Sequence, residues 1–339
     1  MQVIFPSRFR PAVSARHDAS REEQSTVIPS GLLPFIWRVS AFHQLWLALL
    51  STAVFAAGIV PLELQRRIVN DAFAGGTIGQ IIGLAVAYVG VALGSGLLKL
   101  GMNVYRGYVS ESVVLWLRVA LLNRFCSIPP ECRVPETEGV EISLILDEAE
   151  PIGSFVGVSV SEPLLGGGIL VSVFAYMAYL QPWMALVAFA VFSPQFVFVP
   201  IMQGAINRRV GQRIVILRRV SIGIIAEPDG GAAEGSIQGE RLVDAFSLNM
   251  GIFTLKFSMN FLMNFMHHLG IAATLGLGGY YVLKGETEFG TIVAFISGLA
   301  QINDPWGDLV SWFRDLRVTA TKYDLIVKAT EALNSTAPQ

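Results

Sequence analysis

Six apolar runs, each about long enough to cross a bilayer and separated by polar stretches, leave this chain few folds to adopt. They lie near residues 41–62, 78–98, 155–180, 183–202, 257–283 and 291–313. A spanning helix needs roughly 20 mostly apolar residues to cross about 30 Å of hydrocarbon, and each run meets that length. Composition agrees. Only 15% of the 339 residues are charged, against about 25% in soluble domains, and the deficit is concentrated in these runs. The expected fold class is therefore an all-α membrane protein with six transmembrane helices. The net charge of −2 gives no surface for nucleic acid.

The connections are of two kinds. Gln181 and Pro182 alone separate the third and fourth runs, which fits only an antiparallel helical hairpin. The fifth and sixth are joined by residues 284–290, where Gly285 and Gly290 let the chain turn. By contrast, 99–153 and 204–256 are each about 50 residues long, amphipathic and helical by pattern. Val113, Leu117, Leu121 and Leu122 recur there at helical spacing among Glu111, Arg118 and Arg124. Such segments read as helices that leave the membrane and return. Of the 24 Lys and Arg residues, 21 fall in the N-terminal tail, the two long connections and the C-terminal end. Positive charge marks the cytoplasmic side. Both termini and both long connections are thus expected in the cytoplasm, in a multi-pass plasma (inner) membrane protein. Cys126 and Cys132 would then face a reducing compartment, and two cysteines are too few for a structural zinc. Residues 1–35 read as a flexible cytoplasmic tail, 36–330 as the membrane domain and 331–339 as a C-terminal tail.

Two local patterns sharpen the picture. After the second run come Arg118, Leu121-Leu122, Pro129-Pro130, then Gly139, Ser143, Glu148 and Ile152. Around the last come Gly278-Gly279, Gly285, Gly290, Val293-Ala294-Phe295 and Pro305, followed by a helix over 309–326. With the topology, these patterns resemble the transmembrane domain of type I ABC exporters over about residues 35 to 330. The resemblance implies a permease subunit that moves a substrate when ATP closes attached ATPase domains. It implies a homo- or heterodimer of such halves in the lipid bilayer, and a separate ABC ATPase domain carrying ATP and magnesium. It places Pro129, Pro130 and Glu131, and Glu227, Pro228 and Asp229, in the ATPase-coupling regions. There are departures. Leu144 stands where the family often has arginine, and Glu227-Pro228-Asp229-Gly230-Gly231 interrupts a region that is helical in the family. These favour the alternative, a non-transporting, degenerate ABC-like protein that scaffolds or regulates a partner.

No ATPase site is written in the chain itself. Residues 142–149 imitate an acidic magnesium-binding strand ending near Glu148, but no Gly-x-x-x-x-Gly-Lys-Ser/Thr loop occurs. No side-chain set nominates a catalytic centre, a resident cofactor or a metal site. On the fifth run, Asn260, Asn264, His267 and Thr274 share one helical face, with Met259, Met263 and Met266 beside them. Amides and imidazole avoid lipid, so this face is a candidate pathway lining or a hydrogen-bonded helix contact. Gly79, Gly83, Ala87, Gly90 and Gly94 form a small-residue stripe for close helix approach. Glu63, Lys99 and Glu162, near run ends, are expected to reach the membrane interface. Trp37, Trp46, Trp183, Trp306 and Trp312 are expected to form an interfacial belt.

Overall fold

A computed structural model of the chain describes residues 29, 31–126, 148–226 and 232–336. Among these residues there are nine helices and no strand. They are α1 (Leu32–Ala57), α2 (Ile59–Phe73), α3 (Ile78–Cys126), α4 (Ala149–Val158), α5 (Ser161–Leu180), α6 (Pro182–Phe192), α7 (Gln195–Ala226), α8 (Ala232–Leu283) and α9 (Phe289–Thr336). Among the described residues, four helical stretches are long and apolar enough to cross a membrane: Leu32–Phe73, Ile78–Asn123, Ala149–Leu180 and Pro182–Leu217. The fifth and sixth runs lie in α8 and α9, outside those four. Asn260, Asn264, His267 and His268 dilute the apolar run of α8, and Gln301, Asn303 and Asp304 that of α9.

Helix lengths explain the two long connections. The 49 residues of α3 make one rod of about 74 Å, more than twice a hydrocarbon thickness, so span and amphipathic extension are a single helix. The 52-residue α8 and the 48-residue α9 behave likewise. Other runs are broken. Gly58 separates α1 from α2, Ser159 and Val160 separate α4 from α5, and Ser193-Pro194 separates α6 from α7. Proline cannot donate to the turn before it, and Ser193 Oγ donates to the freed Ala190 carbonyl at 3.0 Å. Pro182 opens α6 at a position where its missing N–H costs nothing. Gly285, at φ +72°, makes the turn after α8. The first helix starts at Leu32, and Leu32 and Phe35 are core residues.

The chain forms two compact units. One comprises residues from 1–64, 77–173 and 304–339. Its core joins Leu32, Phe35 and Ile36 of α1, Val113, Leu117 and Leu121 of α3, Ile152 and Phe155 of α4, and Tyr323 and Ile326 of α9. The helical spacing read in the sequence is the packed face of α3, except that Leu122 points outward at 51% exposure. Phe35 sits 5.0 Å from the Tyr323 ring, whose hydroxyl donates to the Pro29 carbonyl at 2.7 Å. Gly153 and Gly157 let α4 press on α3. A Cβ on Gly153 would stand 2.7 Å from the Val114 backbone nitrogen, and one on Gly157 2.7 Å from the Arg106 carbonyl oxygen. Beyond this crossing, Arg106 Nη1 binds Glu162 Oε2 at 2.5 Å, with the side chains only 16% and 20% exposed. Glu162 is therefore a paired, mostly buried residue rather than one reaching for an interface. Trp312 departs from the expected belt in the same way, since it is half-buried against Phe155 at 6.1 Å.

The second unit comprises 65–76 and 174–303. Here α8 runs along α6 and α7. Met184, Ala185, Ala188 and Phe192 are buried on α6, and Ala294, Phe295, Leu299 and Ile302 on α9. Phe174, Phe189, Phe192 and Phe196 form a ring cluster at 5.4 to 6.2 Å, with Phe174–Phe189 and Phe192–Phe196 edge to face and the other two pairs tilted. Farther along α7, Arg209 donates to the Gly251 carbonyl at 3.0 Å and Arg213 to Asn249 Oδ1 at 2.9 Å.

Candidate functional site

The long helix α8 carries all four candidate pathway residues, but their surroundings differ. Asn260 and Asn264 lie exposed on the single chain. His267 is half-buried, and Thr274 is buried at 3% exposure. A turn of about 100° per residue sets the four within one arc. Neighbouring helices then cover the arc from its Thr274 edge and leave its Asn260 edge open.

The open edge continues where the sequence reading did not follow it. His268, four residues after Asn264, is exposed on the same side. Phe253, Phe257, Phe261 and Phe265 stand among these polar residues, all at least 48% exposed. They stack in pairs, Phe253 on Phe257 at 6.1 Å and Phe261 on Phe265 at 6.2 Å. The open face thus alternates aromatic rings with amide and imidazole groups. The four-residue spacing of the phenylalanines was the available signal for it.

His267 turns the other way. It lines a cavity of about 10 Å³ with Gln195, Met266, Asn303 and the apolar side chains of Ala188 and Leu299. That volume is about the room one water needs. The Ser193-Pro194 interruption places Gln195 at the first position of α7, where it is 1% exposed and its Oε1 has no protein partner. Spacing along α8 cannot show this arrangement, because Gln195 and Asn303 come from other helices. A wider, open concavity of about 640 Å³ lies between α7 and α8, lined by Gly211, Gln212, Val215, Asp244, Ser247 and Leu248.

The remaining sequence-marked residues separate cleanly. Pro129, Pro130, Glu131, Glu227, Pro228 and Asp229 lie outside the described residues, as do Cys132 and residues 142–147. Glu148 ion-pairs with Lys322 at 2.9 Å, which suits a structural carboxylate. Among the described residues, no group of three His, Cys, Asp or Glu side chains is placed to hold a metal ion. A Cβ added at Gly79, Gly83, Gly90 or Gly94 would meet no described atom within 4 Å apart from the backbone of its own helix, so the small-residue stripe of α3 is open on the single chain.

Long apolar helices, extended well past the bilayer thickness and broken at defined points, agree with what the family comparison finds. The ABC transporter transmembrane region matches residues 45–214, from within α1 to within α7. The chain belongs to this family. It is an integral membrane protein of the ABC transporter class. It is also similar to the "Uncharacterized ABC transporter ATP-binding protein YfiC" of Bacillus subtilis (strain 168), at 21% identity over 310 residues. That similarity covers 84% of this chain and 49% of the relative, so the chain spans about half the length of the protein it matches.

Proposed function

We propose that this chain is the permease subunit of an ATP-driven exporter, with six spans, two cytoplasmic helical excursions and both termini in the cytoplasm. Membership of the ABC transporter transmembrane region family is the observation that carries the reading. The sequence contains no phosphate loop, so ATP and magnesium act in an ABC ATPase domain that this sequence does not contain. Two transmembrane halves, identical or related, enclose the pathway. The open face of α8 supplies part of its lining through Asn260 and Asn264, with His267 and Thr274 continuing towards the packed side. The groups at Pro129–Glu131 and Glu227–Asp229 receive the ATPase stroke.

Nothing in these contacts demands covalent chemistry of the chain. Its work is to expose the polar and aromatic face of α8 to one side of the membrane and then the other. The test is reconstitution in lipid vesicles with a candidate ABC ATPase. The expected result is ATP-dependent movement of a compound, abolished by inactivating the ATPase. A complex that binds the ATPase yet changes neither ATP turnover nor solute distribution would favour the scaffold reading, which the Pro228 and Gly230-Gly231 of the sequence also favour.

A further inference from the structure

The end of α2 is fastened to the turn between α8 and α9 by an unusual set of contacts. Arg66 Nη1 binds Glu288 Oε2 at 3.1 Å. Asn70 Nδ2 donates to the same Glu288 oxygen. Asn70 Oδ1 in turn accepts the Gly290 N–H at 2.8 Å. The Phe73 and Phe289 rings stack 4.7 Å apart at 19°. Gly290 comes so close to the Arg66 carbonyl and to Asn70 that a Cβ would collide with both. Asn70 is thus the centre of the contact, holding a carboxylate with one end of its amide and a backbone N–H with the other.

Two features make this contact one that can let go. No residue of 65–76 is fully buried, so polar bonds and one aromatic stack hold the segment rather than an apolar core. Contacts of that kind open at low cost compared with a packed core. The ion pair is partly exposed, with side chains 23% and 62% accessible, and such pairs are weak. The segment also has a special place in the chain. Residues 65–76 belong to one compact unit, while both flanks, 1–64 and 77–173, belong to the other. Any movement of one unit against the other must carry this segment along or free it.

We propose that Arg66, Asn70, Glu288 and Gly290 form a releasable latch, closed in the state seen here, that opens when the two units move. The link to transport rests on the exporter reading, but the existence of the latch does not. Thr291 supplies the probe. It follows Gly290 in the chain, its N–H donates to the Glu288 carbonyl at 3.0 Å and it is 4% exposed, and cysteine is close to it in size. The full chain carries Cys126→Ser, Cys132→Ser and Thr291→Cys in lipid nanodiscs, where both faces are accessible. The rate of labelling by a hydrophilic maleimide is the readout. Labelling is expected to be slow with the latch intact, and about fivefold faster with Glu288→Ala, the factor a partly exposed ion pair is worth. Exchange of the charges, Arg66→Glu with Glu288→Arg, is expected to slow it in part, since it restores the ion pair but not the acceptor of the Asn70 amide. Glu288 is exposed, so these variants fold, and unchanged melting temperatures confirm it. Equal rates in all three, or a charge exchange as fast as the alanine variant, overturn the latch. Adding an ATPase partner and trapping the ATP-bound state then separates the two ideas. Faster labelling in a complex that moves solute supports release during the cycle. Solute movement with unchanged labelling overturns release and spares the exporter reading. Absence of solute movement counts against the exporter reading alone, the latch having been judged by the charge variants.

Discussion

At the scale of single residues, close approach decides more than polarity does. Gly153 has no room for a side chain against the Val114 backbone. The variant Gly153→Val is expected to lose about 1–3 kcal/mol through overpacking, read as a lower melting temperature in detergent. Gly94→Val, where an added Cβ would meet nothing within 4 Å apart from the backbone of its own helix, is expected to leave the melting of the isolated chain nearly unchanged. Tyr323 gives a second residue-scale prediction. Burial, and then the Asp324 carboxylate, push its phenol above the usual tyrosine range. Folding therefore favours the protonated form. Its contribution is complete below the ordinary tyrosine pKa of about 10 and is lost as pH rises towards the raised value. Alkaline melting curves should show that loss in the native chain. Tyr323→Phe should flatten the alkaline decline, while losing about 1 kcal/mol at neutral pH with the hydrogen bond to the Pro29 carbonyl. None of this is legible in sequence. Gly153 and Tyr323 look ordinary until α3, α4 and the N-terminal segment are brought together around them.

At the scale of elements, the sequence shows which segments are helices and misplaces their breaks. Apolar length marks the runs, and the spacing of Val113, Leu117 and Leu121 marks the packed face of α3, because both are local properties of a helix. The interruption at Ser159 and Val160 carries no proline or glycine at the break itself. It becomes intelligible only from its partners: Gln44 Nε2 donates to the Val156 carbonyl at 2.8 Å and Ser51 Oγ to the Ser161 carbonyl at 3.3 Å. Helix α1 thus supplies side chains that bond the carbonyls around the break. The pairing of Arg106 with Glu162 is likewise non-local, 56 positions apart. A mostly buried pair stripped of one partner leaves an unsatisfied charge. Arg106→Met is accordingly expected to cost about 3 kcal/mol. The double variant Arg106→Met with Glu162→Leu should recover much of that loss, and melting temperatures of the three proteins check the order. If the single and double variants melt together, the pair is not the source of the loss.

At the scale of the whole molecule, composition and charge made a membrane protein legible, and family membership now agrees. What could not be read is which part of the shared α8 face stays open, because α6, α7 and α9 decide that from outside the helix. Asn260, Asn264 and His268 are exposed, while Thr274 is buried. The exposed amides and imidazole are costly in hydrocarbon, so a stable protein sets them against water or against another chain. A pathway lining and a dry helix contact make opposite predictions for cysteines at these positions. In a chain lacking Cys126 and Cys132, Asn260→Cys, Asn264→Cys and His268→Cys are expected to react with small hydrophilic thiol reagents in membranes. Thr274→Cys is expected to remain at background. The aromatic ladder adds a second reading from the same samples. A cysteine at Phe257, between the polar positions, should share their reactivity if that side of α8 meets water. Leu269→Cys, on the apolar side of the exposed surface, should react at least tenfold more slowly if it meets lipid, since thiolate formation is suppressed there. Uniform silence at 260, 264 and 268 in every nucleotide state, with Leu269→Cys equally silent, would place the whole surface in lipid or in a dry protein contact. The pathway would then have to be sought on the open glycine stripe of α3.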